Sequence, residues 1–339
     1  MLVGLLDCFD VKGLTLKNRI VMPPMHTGLA TTAGAVTDKL VEHYGKRSKN
    51  LGLLIIEHSY VSLEGKLSER QLGIYDDSLI LGLEKLSSKV HSMGTPAVIQ
   101  INHAGKHAKQ EITGLQPVAP SSSREARELK LKEIEDLVET FALAAERAMR
   151  AGFDGVEVHG AHGFLLNQFF SPLTNARQDK YGESLENRMR FPLAVVKRVK
   201  EEVGGRLLLY RLGSDDLDPN GVQIENSKKF AIELQKAGVD ILDVSGGLCG
   251  SRPMQLQGEQ GYFVAQAVQI RGVLDIPVIG VGGIKDPEFA NKLIEEGKVD
   301  LVAVGRELLK DPDWIQNAIK TLKKRARARK QNKLIHLHG

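Results

Sequence analysis

The sequence predicts an α/β barrel of eight strand–helix units, a TIM barrel, on three observations. Short runs rich in Val, Ile and Leu alternate with longer segments of helical period, eight times over, with no linker or composition break between them. The strand runs are apolar almost throughout, which is what a parallel sheet buried on both faces requires. AGVD-like stretches, AGFDG (151–155), AGVDI (237–241) and GKVDL (297–301), put a helix-ending glycine just before the fourth, sixth and eighth strands. A doubly wound sheet normally has fewer units. It would also want G-x-G-x-x-G after its first strand, where this chain reads MPPMHTG.

In chain order, FDVKGLTLKN (9–18) predicts a small hairpin with Gly13 at its turn. Strands follow at 20–25, 53–58, 97–102, 155–159, 207–212, 241–246, 277–282 and 301–305. Helices fall between and after them, near 37–50, 77–93, 132–151, 186–203, 225–237, 262–273, 286–296 and 311–323. Two connections are long enough to act as lids, His103–Ser123 and Gly247–Tyr262.

The chain has 339 residues, 42% hydrophobic and 26% charged, the composition of a globular protein with ample core. Its N-terminal MLVGLLDCFDV carries Asp7 and Asp10, lacks a basic start and is too short to span a bilayer, so a cytoplasmic location without a membrane partner is expected. Cys8 and Cys249 are the only cysteines and form no CxxC, which argues against an iron–sulfur cluster, an all-cysteine zinc site or a disulfide framework; no metal site is expected. The net charge of +4 owes much to the run 320–333 (KTLKKRARARKQNK), read as a solvated helix end rather than a nucleic-acid-binding patch.

Side chains of a strand alternate faces, so parity shows what reaches the barrel mouth. Glu57 shares a face with Ile55 and Leu53, Gln100 and Asn102 with Val98, His159 with Glu157, Arg211 with Leu209, and Ser245 with Asp243. Polar groups at the C-terminal ends of several strands are costly to bury unless a ligand or a hydrogen-bond network satisfies them, and barrel active sites use this rim. After strands seven and eight the chain offers Gly282, Gly283, Gly305 and Arg306, backbone N–H groups and one guanidinium where barrels commonly hold a phosphate. A ligand with a phosphate at one side and a planar polar face at the other matches FMN. A sugar phosphate would leave the opposite strand ends without partners. Arg211 then lies where positive charge favours an electron-rich ring, and Gln100 can serve the ring's imide edge.

HGAHGF (159–164) ends strand four with two imidazoles three residues apart, His159 and His162. As neutral groups near pH 7, both can donate to one ligand oxygen. In isolation such a pair reads as structural; at a polar barrel mouth it reads as a carbonyl-polarising device.

LKNRIVMPPM, IQINHAGK (99–106), VAPSS (118–122), HGAHGFLLNQFFSPLTNARQDKYG (159–182), ENRMRF and VGRELLKDP (304–312) resemble the old yellow enzyme family of FMN-dependent NAD(P)H oxidoreductases over residues 5–320. MHTGL (25–29) is more similar to the 2,4-dienoyl-CoA reductase and enoate reductase branch. That branch usually adds a cysteine-rich cluster segment and a second domain, so the resemblance implies a short form: one FMN-binding barrel over 1–323 and a basic tail over 324–339. It implies FMN contacts from Pro24, Met25, Glu57, Gln100, Arg211, Gly282, Gly283, Gly305 and Arg306, with NADH or NADPH as reductant. It implies reduction of an α,β-unsaturated carbonyl held by His159 and His162, donors typically worth ~3–4 kcal/mol each in an oxyanion role. Self-association is common in the family, which leaves a homo-oligomer open here.

One position departs from the family. The tyrosine that usually protonates the α-carbon is replaced by Phe164, which cannot donate a proton. Tyr60, Tyr262 and His26 are the candidate substitutes, His26 standing after Met25 where relatives place Cys or Thr. The departure keeps open an NADH oxidase passing electrons to oxygen or quinones. A dihydrouridine-synthase-like flavin enzyme and a non-catalytic flavin- or phosphate-binding barrel are weaker alternatives.

Overall fold

The computed structural model describes residues 3–256 and 258–335. Eight parallel strands close into a barrel: β3 (Ile20–Met22), β4 (Leu53–Tyr60), β5 (Ala97–Asn102), β8 (Gly155–Gly160), β9 (Leu207–Gly213), β10 (Ile241–Ser245), β11 (Val278–Gly280) and β12 (Leu301–Ala303), which returns to pair with β3. The remaining strands form two small sheets outside it. One is the hairpin β1 (Phe9–Val11) and β2 (Leu14–Leu16), joined through Lys12 and Gly13, both at positive φ as a tight two-residue turn requires. The other, β6 (Val118–Ala119) and β7 (Arg127–Glu128), lies in the long connection after β5, where sequence periodicity predicts only a loop.

Alternation along the strands divides the core in two. Val21, Leu53, Ile55, Val98, Leu207, Leu209, Ile241, Ile279 and Leu301 fill the barrel interior, and Val11 and Leu16 of the hairpin pack into the same cluster, closing the N-terminal end. Ile99, Val156, Val158, Leu208, Leu242 and Val302 face outward onto the helices. Truncating a fully buried interior residue such as Leu209 to Ala would cost about 2–5 kcal/mol through lost burial and the cavity left behind. The helices are tied at their starts by side-chain caps where the sequence provides them: Thr37 accepts from Leu40 N, Ser184 from Asn187 N, and Asp286 from Glu288 N with Pro287 following. Gly152, Gly238 and Gly297 take the left-handed conformation after the helices that precede β8, β10 and β12, as the repeated motif predicts.

Two details differ from the sequence expectation. The last helix runs from Trp314 to Ile335, well beyond 323, so the basic run continues a helix that its apolar residues Trp314, Ile315, Ala318 and Leu322 anchor to the barrel. A short helix, Leu165–Phe170, follows the histidine pair and is wholly buried. Among the described residues no helix is long and apolar enough to cross a membrane.

Candidate active site

The mouth of the barrel has a polar floor. Gln100 on β5 and Glu157 on β8 sit side by side in the strand register, and Gln100 Nε2 donates to Glu157 Oε2 at 2.7 Å. Arg211 on β9 is flanked in register by His159 on β8 and Asp243 on β10; its Nε lies 3.2 Å from Asp243 Oδ2, close enough for ion pairing but not aligned as a hydrogen bond. Burial, then the charge of Asp243, pushes the Glu157 carboxyl up to about 8, so it keeps its proton at neutral pH. Asp243 is also raised by burial, against the opposing pull of Arg211. Glu157 Oε1, both Asp243 oxygens, Arg211 Nε and His159 Nδ1 are buried without a hydrogen-bond partner. Such atoms are rare in a folded chain, and their clustering at one strand-end layer marks a place where a polar ligand completes the bonding.

His159 and His162 stand above this floor. Their rings are edge to face with centroids 5.1 Å apart. His162 has a positive φ of 58°, uncommon for a residue with a side chain, and its backbone N–H donates to Gly246 O while its Nε2 lies 2.8 Å from Ser245 Oγ. The GAHG turn therefore folds back onto β10 and fixes the second ring beside the first. Burial holds both imidazoles well below the usual histidine range; for His159 the neighbouring His162 and Arg211 add to the effect, and for His162 Arg211 does. Both are therefore neutral at pH 7.

The opposite rim is built from backbone. Gly282, Gly283, Gly305 and Arg306 line a cleft of about 460 Å³ together with Pro23, Met25, Arg211, Ser245 and Tyr262. Gly283 has a φ of 65°, and a Cβ there would lie 2.6 Å from Arg306 Nη2 and 2.9 Å from Tyr262 Cε1. A Cβ on Gly305 would lie 2.9 Å from Met25 Sδ. Only glycine leaves the N–H groups and the guanidinium open to an anion here. Arg306 Nη2 donates to Tyr262 Oη, which in turn donates to Ser251 O, so the 247–262 connection reaches over this end of the cleft. A bare backbone cradle with an arginine at one end and unpaired polar floor groups at the other fits a planar ring carrying a phosphate, and FMN is such a molecule.

Several expectations shift in detail. Pro23 and Met25 line the cleft, whereas Pro24 is buried between them. Strand alternation breaks just after Glu57. β4 pairs Ile56 with Ile99 but Ser59 with Ile101, so Glu57 and His58 together oppose the single residue Gln100. The Glu57 carboxylate meets Thr27, which donates from both N (3.0 Å) and Oγ1 (2.6 Å), and lies 3.0 Å from His26 Nδ1. Burial alone would raise Glu57, but these bonds and the nearby His58 outweigh it and hold the carboxyl below its usual range. Parity cannot reveal a bulge, so strand alternation gives no hint that His58 belongs to the site. Its ring stacks on His26 (5.1 Å, 25° between planes) and lies 5.7 Å from Phe164, which itself meets His159 at 4.8 Å.

Of the three candidate proton donors, two point elsewhere. Tyr60 Oη donates to Ala33 O and its ring stacks on Tyr75; Tyr262 is engaged at the glycine rim. His26 is held between Glu57 and Ser68 Oγ, 3.0 Å from its Nε2, and presents a ring face to His58.

A sequence profile of the NADH:flavin oxidoreductase / NADH oxidase family matches residues 5–325. An NADH oxidase from Thermoanaerobacter brockii is 45% identical over 321 residues, covering 91% of this chain and 49% of that protein. The chain thus spans about half the length of that relative. An NADPH dehydrogenase from Bacillus licheniformis is 39% identical over 319 residues, 93% of each chain. Among solved structures, 2-naphthoyl-CoA reductase in complex with 2-naphthoyl-CoA superposes with a TM-score of 0.90 at 26% identity, over 95% of this chain and 53% of that one. Morphinone reductase in complex with tetrahydroNAD superposes at 0.83 with 29% identity, over 94% and 91%. The match covers the barrel, the histidine strand end and the glycine rim together, and the chain belongs to this FMN-dependent family, that of old yellow enzyme.

Proposed function

We propose that the chain is an FMN-dependent NAD(P)H oxidoreductase that reduces the C=C bond of α,β-unsaturated carbonyl compounds. The observation that carries this reading is the His159–His162 pair: two neutral imidazoles 5.1 Å apart beside Arg211, with His159 Nδ1 buried and unpartnered. When bound, FMN supplies the hydride chemistry between NADH or NADPH and the β-carbon. The chain's own residues do the rest. Gly282, Gly283 and Gly305 offer backbone N–H groups and Arg306 a guanidinium to the phosphate, Arg211 and Gln100 meet the polar ring edge, and Pro23 and Met25, which line the cleft, support the ring. His159 and His162 orient the substrate carbonyl and stabilise the negative charge that grows on its oxygen as hydride arrives. Residues 1–323 are read as the flavin-binding unit; the basic run after 323 continues the last helix to Ile335, and 336–339 lie outside the described residues.

Phe164 supports a second reading. Its ring stands against His159 where a proton donor is otherwise needed, so reoxidation by oxygen or a quinone, which requires no α-carbon protonation, is the alternative. The test is anaerobic. The protein is purified, its flavin absorbance recorded, and the flavin reduced with NADH and NADPH separately before addition of 2-cyclohexenone. Reoxidation by the enone supports the reductase; reoxidation only when oxygen is admitted supports the oxidase; a colourless protein that takes up no FMN refutes both.

A further inference from the structure

The β4 bulge brings a third imidazole to the barrel mouth, and its hydrogen bonds define which nitrogen carries the proton. Leu67 N–H donates to Gln71 Oε1 at 2.7 Å, so the amide's NH₂ end is the one that faces His58. Gln71 Nε2 donates to His58 Nδ1 at 2.7 Å and to His58 O at 3.2 Å. Nδ1 is therefore an acceptor, and a neutral ring must carry its hydrogen on Nε2. The ring is neutral: burial, reinforced by His26 and against the pull of Glu57, pushes His58 down to about 4. Nε2 has no partner among the described residues and points away from Gln71, on the ring edge opposite Nδ1. Gln71 is wholly buried, and the ring is clamped between His26 and Phe164, so the donor is fixed in direction.

Phe164 thus neighbours two neutral imidazoles, His159 at 4.8 Å and His58 at 5.7 Å between centroids. A one-carbonyl enone held by His159 and His162 leaves the His58 donor without a partner. A substrate with a second acceptor oxygen across the ring satisfies it. We propose that His58 is a specificity-determining residue whose Nε2–H receives the second oxygen of substrates bearing two, the 2-ene-1,4-diones and quinones. The inference rests on the enone reading above and narrows it to a substrate class. Gln71 is the positioning residue, acting through His58.

The test compares 2-cyclohexene-1,4-dione with 2-cyclohexenone on the holoenzyme, and the saturated 1,4-cyclohexanedione with cyclohexanone for binding, read as perturbation of the flavin spectrum. His58→Phe keeps the aromatic stack and removes the donor. Gln71→Glu still accepts from Leu67 N but asks Nδ1 for a hydrogen, reversing the polarity of Nε2. In both variants the kcat/KM ratio of dione to enone, and the matching ratio of affinities, should fall about tenfold, the loss of one buried hydrogen bond. Ratios that stay within twofold of wild type in both variants overturn the proposal and leave the enone reading standing. A fall in His58→Phe alone assigns the effect to shape and overturns the donor role. If the wild-type protein turns over neither enone, the functional reading fails and this one with it.

Discussion

The two sides of the barrel mouth solve the problem of holding a polar ligand by different means. The β11–β12 side uses backbone: three glycines and one arginine, where a single Cβ on Gly283 would fall 2.6 Å from the guanidinium. The β4–β8 side uses neutral side chains, with His58 and His159 against Phe164, His162 against His159, and each imidazole set by a neighbour's hydrogen bond or by burial. The first arrangement suits a permanent anion and carries no group that titrates near neutral pH. The second holds groups whose usefulness depends on staying uncharged, and burial keeps them so. Between them the Gln100–Glu157 and Arg211–Asp243 pairs form a floor shared by both.

Substitutions separate these roles. The largest effect is expected on the imidazole side: His159→Ala should lower kcat/KM for 2-cyclohexenone by about 10²–10³-fold, the usual consequence of removing one oxyanion donor, while FMN remains bound. Loss of flavin from this variant would mean that the two sides are not distinct. Next comes the glycine side. Arg306→Ala should weaken FMN by about 10–100-fold, one charge-assisted contact, in a fluorescence titration of the apoprotein. An unchanged affinity would remove the anion from this rim.

The floor offers a test by pH. Glu157 has a folded pKa of about 8 against an ordinary value of 4.5, so the native state retains a proton that the unfolded chain has released. Its contribution to stability is complete below the unfolded value and is lost as pH rises through the folded one, by up to ~1.4 kcal/mol per pH unit. Glu157→Gln keeps an acceptor for Gln100 and removes the titration. Its Tm relative to wild type should therefore climb between about pH 5 and pH 8. A constant difference across that window would show that Glu157 ionises normally. The smallest effect is expected at Phe164, where Phe164→Tyr restores a phenol beside His159 and should raise enone turnover several-fold if protonation limits the rate. Unchanged turnover would place the proton source elsewhere.

Much of this was legible in the sequence. The eight apolar runs dictated the barrel because a strand buried on both faces carries no polar alternation. Gly282, Gly283, Gly305 and Arg306 were readable because bare backbone after two successive strands, followed by a guanidinium, is the pattern of an anion cradle. Arg211, Gln100 and His159 followed from parity, which holds as long as a strand is regular. Parity missed His58 for the same reason: one extra residue between Ile56 and Ser59 sets Glu57 and His58 together opposite Gln100 and leaves the His58 ring near Phe164. Nothing in LLIIEHSY announces the insertion, because a bulge is decided by the register with Ile99 and Ile101 on the neighbouring strand. The hydroxyl partners of Tyr60 and Tyr262 likewise depend on the fold, since Ala33 and Ser251 are partners that no local pattern predicts. The sequence by itself determined the periodicity, the barrel and the residue types at the strand ends. The tertiary structure alone decided where those side chains point, because orientation at a barrel rim is set by pairing and hydrogen bonds between segments far apart in the chain.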